Sequence, residues 1–123
     1  VKFVSDLTSD EIAQLYAEST IAVSPSVYEG FGFPAGEAMS CGIPLVSTNG
    51  GSLPEVVGDA GIVVNHSDPY SLYKGIKELL DDDEKRLMYG KMGRDRVLDK
   101  FTWERAAREL VDVYKEAIIN ANN

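Results

Sequence analysis

Residues 29–42 read Glu29-Gly-Phe-Gly-Phe-Pro-Ala-Gly-Glu-Ala-Met-Ser-Cys-Gly42, a glycine-rich turn with a carboxylate on either side. Residues 21–24 are short and apolar, which predicts a buried strand, and residues 35–41 predict a helix that Gly42 ends. The turn should therefore lie at the carboxyl end of a strand. Ligands bind there in open α/β sheets, because helix N-termini and loop amides offer unpaired donors to an anion.

Each residue type in the turn suits such a ligand. Gly30 and Gly32 leave the backbone open, so that a sugar or phosphate can approach the loop amides. Pro34 suits the first helical position, where no amide donor is lost. Glu29 can accept hydrogen bonds from ligand hydroxyls, and Glu37, predicted in the first helical turn, can accept those of a ribose. The structural alternatives are a solvated loop position for Glu29 and a helix-dipole role for Glu37, worth about 0.3–1 kcal/mol.

The remaining pattern predicts an α/β fold, because short apolar runs alternate with amphipathic segments. We expect a Rossmann-like parallel sheet of about four strands, flanked by helices and followed by a helical C-terminal portion. The strands are placed at residues 1–4, 21–24, 45–47 and 61–64. Helices are placed at residues 35–41, 53–57 and 83–98, after the Thr8–Glu11 capping box, after Asp68 and after Thr102.

Two helices carry informative apolar faces. The helix after Thr8 should lie against the sheet through Ile12, Leu15 and Tyr16. The last helix keeps one unbroken stripe, which is wider than a single small sheet can cover. We expect this stripe to mediate self-association, and we expect residues 120–123 to fray. Its large members are Trp103, Leu110, Tyr114 and Ile118.

Composition limits the classes of partner. The 123-residue chain is one domain long, and 44% of its residues are hydrophobic. Its net charge of −8 argues against nucleic acid as a partner, because binding phosphate arrays needs clustered Lys and Arg. No Lys or Arg lies between Lys2 and Lys74, so no cation close in sequence can neutralise an anion at the turn. The single cysteine, Cys41, excludes a disulfide framework, and the lone His66 predicts no metal site.

Two segments resemble the signature of the group 1 (family 4) retaining glycosyltransferases of GT-B architecture. They are Ser24-Pro-Ser-Val-Tyr-Glu-Gly-Phe-Gly-Phe-Pro34 and Gly36-Glu-Ala-Met-Ser-Cys-Gly-Ile-Pro-Leu-Val46. The Glu-x7-Glu spacing of Glu29 and Glu37 is also that of the family. The resemblance extends from residue 1 through Asn49-Gly-Gly-Ser-Leu-Pro-Glu-Val-Val57 to Phe101-Thr-Trp-Glu-Arg105. Gly36 departs from it, because the family usually has a larger apolar residue there.

The resemblance implies a role for each residue of the turn. Glu29 is the catalytic candidate, which contacts and orients the donor sugar rather than acting as a nucleophile, and Glu37 contacts the nucleotide ribose. The residues expected to bind the donor sugar and diphosphate are Gly30, Phe31, Gly32, Phe33 and Pro34. We expect Gly32→Val to abolish donor binding and to leave the fold largely intact.

The resemblance also implies a larger enzyme. Residues 1–123 would form the C-terminal part of the nucleotide-sugar-binding domain of a two-domain hexosyl or glycosyl transferase in glycan biosynthesis. An N-terminal acceptor domain and a basic pair for the diphosphate lie outside this chain, so the fragment alone should be inactive. No cofactor or metal is expected, and the enzyme should be cytoplasmic, either free or peripheral at the membrane face.

Two alternatives remain. The first is a stand-alone acidic binding module similar to a response-regulator receiver. A receiver needs an acidic pair after its first strand, where this chain has Asp6 alone, and a phosphoacceptor where this chain has Ser24. The second is a degenerate transferase domain that binds a nucleotide sugar without turning it over. A dinucleotide-binding Rossmann domain is excluded, because the glycine spacing of the turn is not the required fingerprint.

Overall fold

The sheet lies at the centre of the computed structural model, which describes residues 1–121. Its strands are β1 (Ala22–Ser24), β2 (Leu45–Thr48) and β3 (Ile62–Val64). Within the described residues they form one parallel sheet in the order β1-β2-β3, with Val46 paired to Val23 on one side and Ile62 on the other. The predicted α/β class is confirmed. Because the strands are parallel, their carboxyl ends meet at one edge.

The helices of residues 1–121 follow the predicted order along the chain. They are α1 (Ser9–Ala17), α2 (Phe33–Ser40), α3 (Leu53–Val57), α4 (Pro69–Asp81), α5 (Asp83–Lys100) and α6 (Trp103–Ala121). The predicted fraying does not extend to residues 120 and 121, which remain in α6, and residues 122 and 123 lie outside the described range.

The prediction of a strand at residues 1–4 is wrong. The sheet has three strands in the described range rather than about four. The side chains of Val1 and Phe3 are exposed, and β1 pairs with β2 alone. A segment this short forms a strand only where a neighbouring strand can accept its hydrogen bonds. Residues 1–4 have no such neighbour here.

The core is built around β2, whose four residues are all buried. Leu45 packs with Ala35 and Met39 of α2 and with Leu53 and Val57 of α3. Val46 points to the opposite face, where it lies close to α4. Helices therefore cover both faces of the sheet, as the alternation of strands and helices along the sequence predicts.

The predicted N-caps are confirmed. Thr8 and Glu11 form a reciprocal capping box at α1, and the side chains of Asp68 and Thr102 accept from the amides of Ser71 and Arg105. In the run of three aspartates, Asp82 caps α5. The aspartates on either side form ion pairs within their own helices.

The outer helices α1 and α6 are less covered than the other elements. The Tyr16 hydroxyl of α1 donates to the Pro34 carbonyl at 3.2 Å, and a cavity of about 160 Å³ separates α1 from β1. The prediction that α1 packs directly on the sheet is therefore wrong. No described residue of α6 is buried, and Trp103 is 88% exposed.

Candidate functional site

Glu29 lies in the loop after β1, at the carboxyl edge of the sheet, and its side chain is half-buried. The Ser26 hydroxyl donates to its Oε1 at 2.7 Å. Within residues 1–121 the other carboxylate oxygen, Oε2, has no hydrogen bond. This carboxylate is therefore held at one oxygen and free to accept hydrogen bonds at the other.

The backbone of Glu29 is also fixed. Its carbonyl accepts from the Ser52 amide at 3.1 Å and from the Ser52 hydroxyl at 3.2 Å. Gly51 (φ +61°) approaches so closely that a Cβ there would collide with this carbonyl oxygen. The loop after β2 therefore clamps the loop after β1, and only glycine leaves room for the contact.

The loop after β3 joins the same edge. The Asn49 amide donates to the Val64 carbonyl at 2.8 Å, and the His66 amide donates to Asn49 Oδ1, also at 2.8 Å. Asn49 thus bridges the loops after β2 and β3. His66 is an exposed loop residue, as predicted, and no group of three or more His, Cys, Asp or Glu in residues 1–121 could hold a metal ion.

The glycine-rich turn leads directly into α2. Gly32 is the N-cap residue in the left-handed region (φ +90°), and its carbonyl accepts from the Gly36 amide at 3.1 Å. The helix begins at Phe33, so Pro34 occupies the second helical position rather than the first. The amides of Phe31 and Phe33 have no acceptor among residues 1–121, and they remain as donors at a helix N-terminus.

Glu37 lies in the second turn of α2 rather than the first, which removes most of the expected interaction with the helix dipole. It lines a cavity of about 170 Å³ between α1 and α2. Burial raises the pKa of the Tyr16 hydroxyl in this cavity, and the negative charge of Glu37 raises it further. Glu29 instead contacts Ser26 and Ser52, so the two predicted carboxylates have separate surroundings.

The side chains of Phe31 and Phe33 form an aromatic cluster, with ring centroids 5.0 Å apart. Phe101 packs edge-on against Phe31 at 5.7 Å. The cluster lines a cavity of about 310 Å³ beside the start of α6, together with Lys100 and Trp103. The fold therefore brings a cation close to the turn, although none is close in sequence.

The sequence reasoning missed the residues that hold Glu29, namely Ser26, Thr48 and Ser52. Each follows or ends a strand at the carboxyl edge of the sheet, and that common placement was an available signal. Phe101 and Lys100 offered no such signal, because about seventy residues separate them from the turn.

The fold and the turn define the chain as a parallel α/β domain with a glycine-rich turn at the carboxyl edge of its sheet. The family profile of the glycosyl transferases group 1 matches residues 1–96, and the chain belongs to that family. Within residues 1–121 we find no helix that is both long and apolar enough to cross a membrane.

Individual proteins agree with this assignment. The chain is 38% identical over 115 residues to the O-antigen chain mannosyltransferase B of Escherichia coli, covering 94% of this chain and 30% of that protein. Sucrose-phosphate synthase from Thermosynechococcus elongatus superposes with a TM-score of 0.85 and 31% identity, covering 97% of this chain and 30% of the other. The expected GT-B type of fold is thereby confirmed.

A third similar structure is the C-terminal domain of a group 1 glycosyl transferase from Francisella tularensis. Its TM-score is 0.72 at 30% identity, and the superposition covers 84% of this chain and 53% of that domain. The chain therefore resembles a C-terminal domain, and it spans about 30% of the length of the E. coli relative.

Proposed function

We propose that this chain forms the C-terminal part of the nucleotide-sugar-binding domain of a larger two-domain glycosyltransferase. The full-length enzyme transfers a hexosyl or other glycosyl group from a nucleoside-diphosphate sugar to an acceptor and retains the anomeric configuration. The observation that carries the proposal is that Glu29 has one carboxylate oxygen without a hydrogen-bond partner among the described residues, in the same turn as the unpaired amides of Phe31 and Phe33. Membership in the group 1 family supports it.

The mechanism follows from where charge develops. As the bond between sugar and phosphate breaks, negative charge grows on the leaving diphosphate. The amides of Phe31 and Phe33 and the N-terminal end of α2 stabilise that charge without having to reorganise. Gly30 has open space beside it, which lets the diphosphate and sugar reach these donors, whereas Gly32 supplies the left-handed turn that begins α2.

The two glutamates bind the neutral parts of the donor. Glu29 accepts hydrogen bonds from the sugar hydroxyls through Oε2 and orients the ring rather than attacking it. Glu37 accepts those of the ribose. Hydrogen bonds from ligand hydroxyls to a carboxylate are short and strong because the acceptor is charged. Two such bonds to the same carboxylate also fix the orientation of the ligand.

The diphosphate needs cations that the turn does not supply. We expect a basic pair from residues upstream of this chain, and an acceptor domain that closes over the donor and excludes water. We expect no metal ion or cofactor and no transfer by the isolated chain. We place the full-length enzyme in the cytoplasm, free or peripheral at the membrane face, where it builds glycans.

The test uses the full-length protein. Thermal shifts against UDP-, GDP- and ADP-sugars should identify one stabilising donor, and NMR of the product should show the anomeric configuration of the donor. Glu29→Gln should weaken binding of the nucleotide sugar. Glu37→Gln should weaken binding of both the nucleotide sugar and the free nucleotide. An inverted product, or no shift with any donor, would contradict the proposal.

The receiver-like alternative lacks support. Ser24, at the position where a receiver has its phosphoacceptor, is only 7% exposed and ends β1. A phosphate donor could not reach its hydroxyl. The degenerate-domain alternative corresponds to one outcome of the test, a stabilising donor without turnover.

A further inference from the structure

The carboxylate of Glu29 is connected to β2 through a chain of hydrogen bonds. The Thr48 hydroxyl, at the end of β2, donates to the Ser26 carbonyl across 22 positions of sequence. The Ser26 hydroxyl then donates to Glu29 Oε1 at 2.7 Å. Thr48 is 3% exposed and Ser26 is half-buried, so both bonds are partly shielded from competing water.

The same glutamate is held at its backbone by Ser52. Backbone and carboxylate are therefore fixed independently, the first by Ser52 and the second by Ser26. A glutamate held at one end only would sample several side-chain rotamers, and a ligand would have to select among them. With Oε1 occupied by Ser26, the direction of Oε2 is set before any ligand arrives.

We propose that Ser26 is a positioning residue for the donor sugar, and that Thr48 holds Ser26 in place. The inference rests on the proposed function, because it assigns Ser26 to the orientation of the carboxylate that binds the sugar. Ser26 acts through Glu29 and does not itself touch the donor. It should therefore matter for the sugar and not for the nucleotide.

The experiment compares two ligands on the full-length protein: the nucleotide sugar that the wild type binds, and the corresponding nucleoside diphosphate. Ser26→Ala should weaken nucleotide-sugar binding and kcat/KM about ten-fold or more, since the bond lost is to a charged group. The Kd of the nucleoside diphosphate should stay within about two-fold of wild type, a much smaller change than the loss of one such hydrogen bond would cause. Ser26→Thr, which keeps the hydroxyl, should restore most of the loss.

A matched control is Ser19→Ala. The Ser19 hydroxyl, two residues past the end of α1, donates to the Leu15 carbonyl of α1 at 2.7 Å, so this variant also loses one serine hydrogen bond, but away from Glu29. It should bind both ligands as the wild type does. In the double variant Ser26→Ala with Glu29→Gln, the loss should not exceed that of Glu29→Gln alone, because the two residues act as one unit.

The outcomes separate the inference from the proposed function. If Glu29→Gln weakens sugar binding but Ser26→Ala does not, the positioning role is wrong and the function stands. Equal losses for nucleotide sugar and nucleoside diphosphate would reduce Ser26 to a structural residue and also overturn the inference. If no nucleotide sugar binds the wild type, both fail. If Ser26→Ala does not fold, the bond from Thr48 to the Ser26 carbonyl can be tested by comparing Thr48→Val with Thr48→Ser. The valine variant, which lacks the hydroxyl, should lose affinity for the nucleotide sugar selectively, by less than Ser26→Ala.

Discussion

Leu53 of α3 occupies the space that a side chain on Gly32 would need. A Cβ on Gly32 would lie 2.8 Å from Leu53 Cδ2, and Leu53 is fully buried. Gly32 is therefore packed against the core, although Phe31 and Phe33 on either side of it are exposed. This contact contradicts the expectation that Gly32→Val leaves the fold largely intact.

Gly32→Ala should accordingly destabilise the protein. The positive φ of Gly32 and the contact with Leu53 each oppose a side chain, and strain of this kind costs about 1–3 kcal/mol. Gly36→Ala is the matched control, since nothing lies within 4 Å of a Cβ there and alanine favours a helix by up to about 1 kcal/mol. Urea denaturation should show opposite signs for the two variants. Equal free energies of unfolding would contradict the argument.

Arg96 of α5 should stabilise the fold by joining α5 to the end of α3. Its guanidinium donates to the Glu55 carbonyl at 2.7 Å and to the Val56 carbonyl at 2.8 Å, near the end of α3, and it faces the ring of Phe101. Arg96→Ala should lower the free energy of unfolding by about 2 kcal/mol, since hydrogen bonds to a charged group contribute about 1.5–3 kcal/mol.

Arg94→Ala provides the control for Arg96. It lies two residues earlier on the same helix, is exposed, and makes one long bond of 3.3 Å to the Ser40 carbonyl. Its loss should cost less than about 0.5 kcal/mol. Similar effects from both arginines in thermal denaturation would show that Arg96 acts only through its charge.

Local signals explain what the sequence predicted correctly. The caps at Thr8, Asp68 and Thr102 depend on residues three positions apart, and β2 is predicted from the short segment at residues 45–47. Glu29 and the glycines were found because turn and helix start are adjacent in sequence. All of these features are decided within a few residues of chain.

Contacts between distant segments explain what the sequence did not predict. The strand expected at residues 1–4 needed a partner strand, and that pairing cannot be read from a segment of four residues. Thr48 binds the Ser26 carbonyl and Ser52 binds the Glu29 carbonyl, each across about twenty positions, and Phe101 packs on Phe31 across seventy. Such contacts depend on the order of strands and the path of helices, which periodicity does not specify.

The cap of α4 should make stability depend on pH. Ser71 donates to Asp68 through its hydroxyl at 2.6 Å and its amide at 3.0 Å, and these bonds hold the pKa of Asp68 below its ordinary value of 3.8. Because the folded pKa lies below the unfolded one, the stabilisation is complete above about pH 4 and is lost as pH falls through the folded value. Asp68→Asn should lower Tm at about pH 6, and the difference should shrink below about pH 4. Asp59→Asn, at an exposed loop position, controls for the charge; a difference independent of pH would contradict the assignment.

The exposed stripe of α6 should cause the 123-residue chain to self-associate. Leu110, Tyr114 and Ile118 are each more than half exposed on one face, and an apolar patch of this kind favours association. Sedimentation velocity should show a dimer that increases with concentration. Leu110→Glu should abolish it, whereas Arg108→Gln, which makes the same change in net charge, should not. A chain that stays monomeric at high concentration would exclude the stripe as a contact.

The isolated chain should bind a nucleotide sugar only weakly. Hydrogen bonds to Glu29, Glu37 and the turn amides each contribute about 0.5–1.5 kcal/mol net in exposed settings. Among residues 1–121, Lys100 is the cation that lines the cavity beside Phe31 and Phe33, and one exposed lysine cannot offset the charge of a diphosphate. We therefore expect a Kd no tighter than millimolar, about −4 kcal/mol, and no measurable transfer. Isothermal titration calorimetry with UDP- and GDP-sugars measures this directly. If binding is micromolar and Lys100→Gln abolishes it, the anion site lies at the aromatic cavity instead of the start of α2. If binding is micromolar and Lys100→Gln leaves it intact, the turn amides alone suffice to bind the diphosphate.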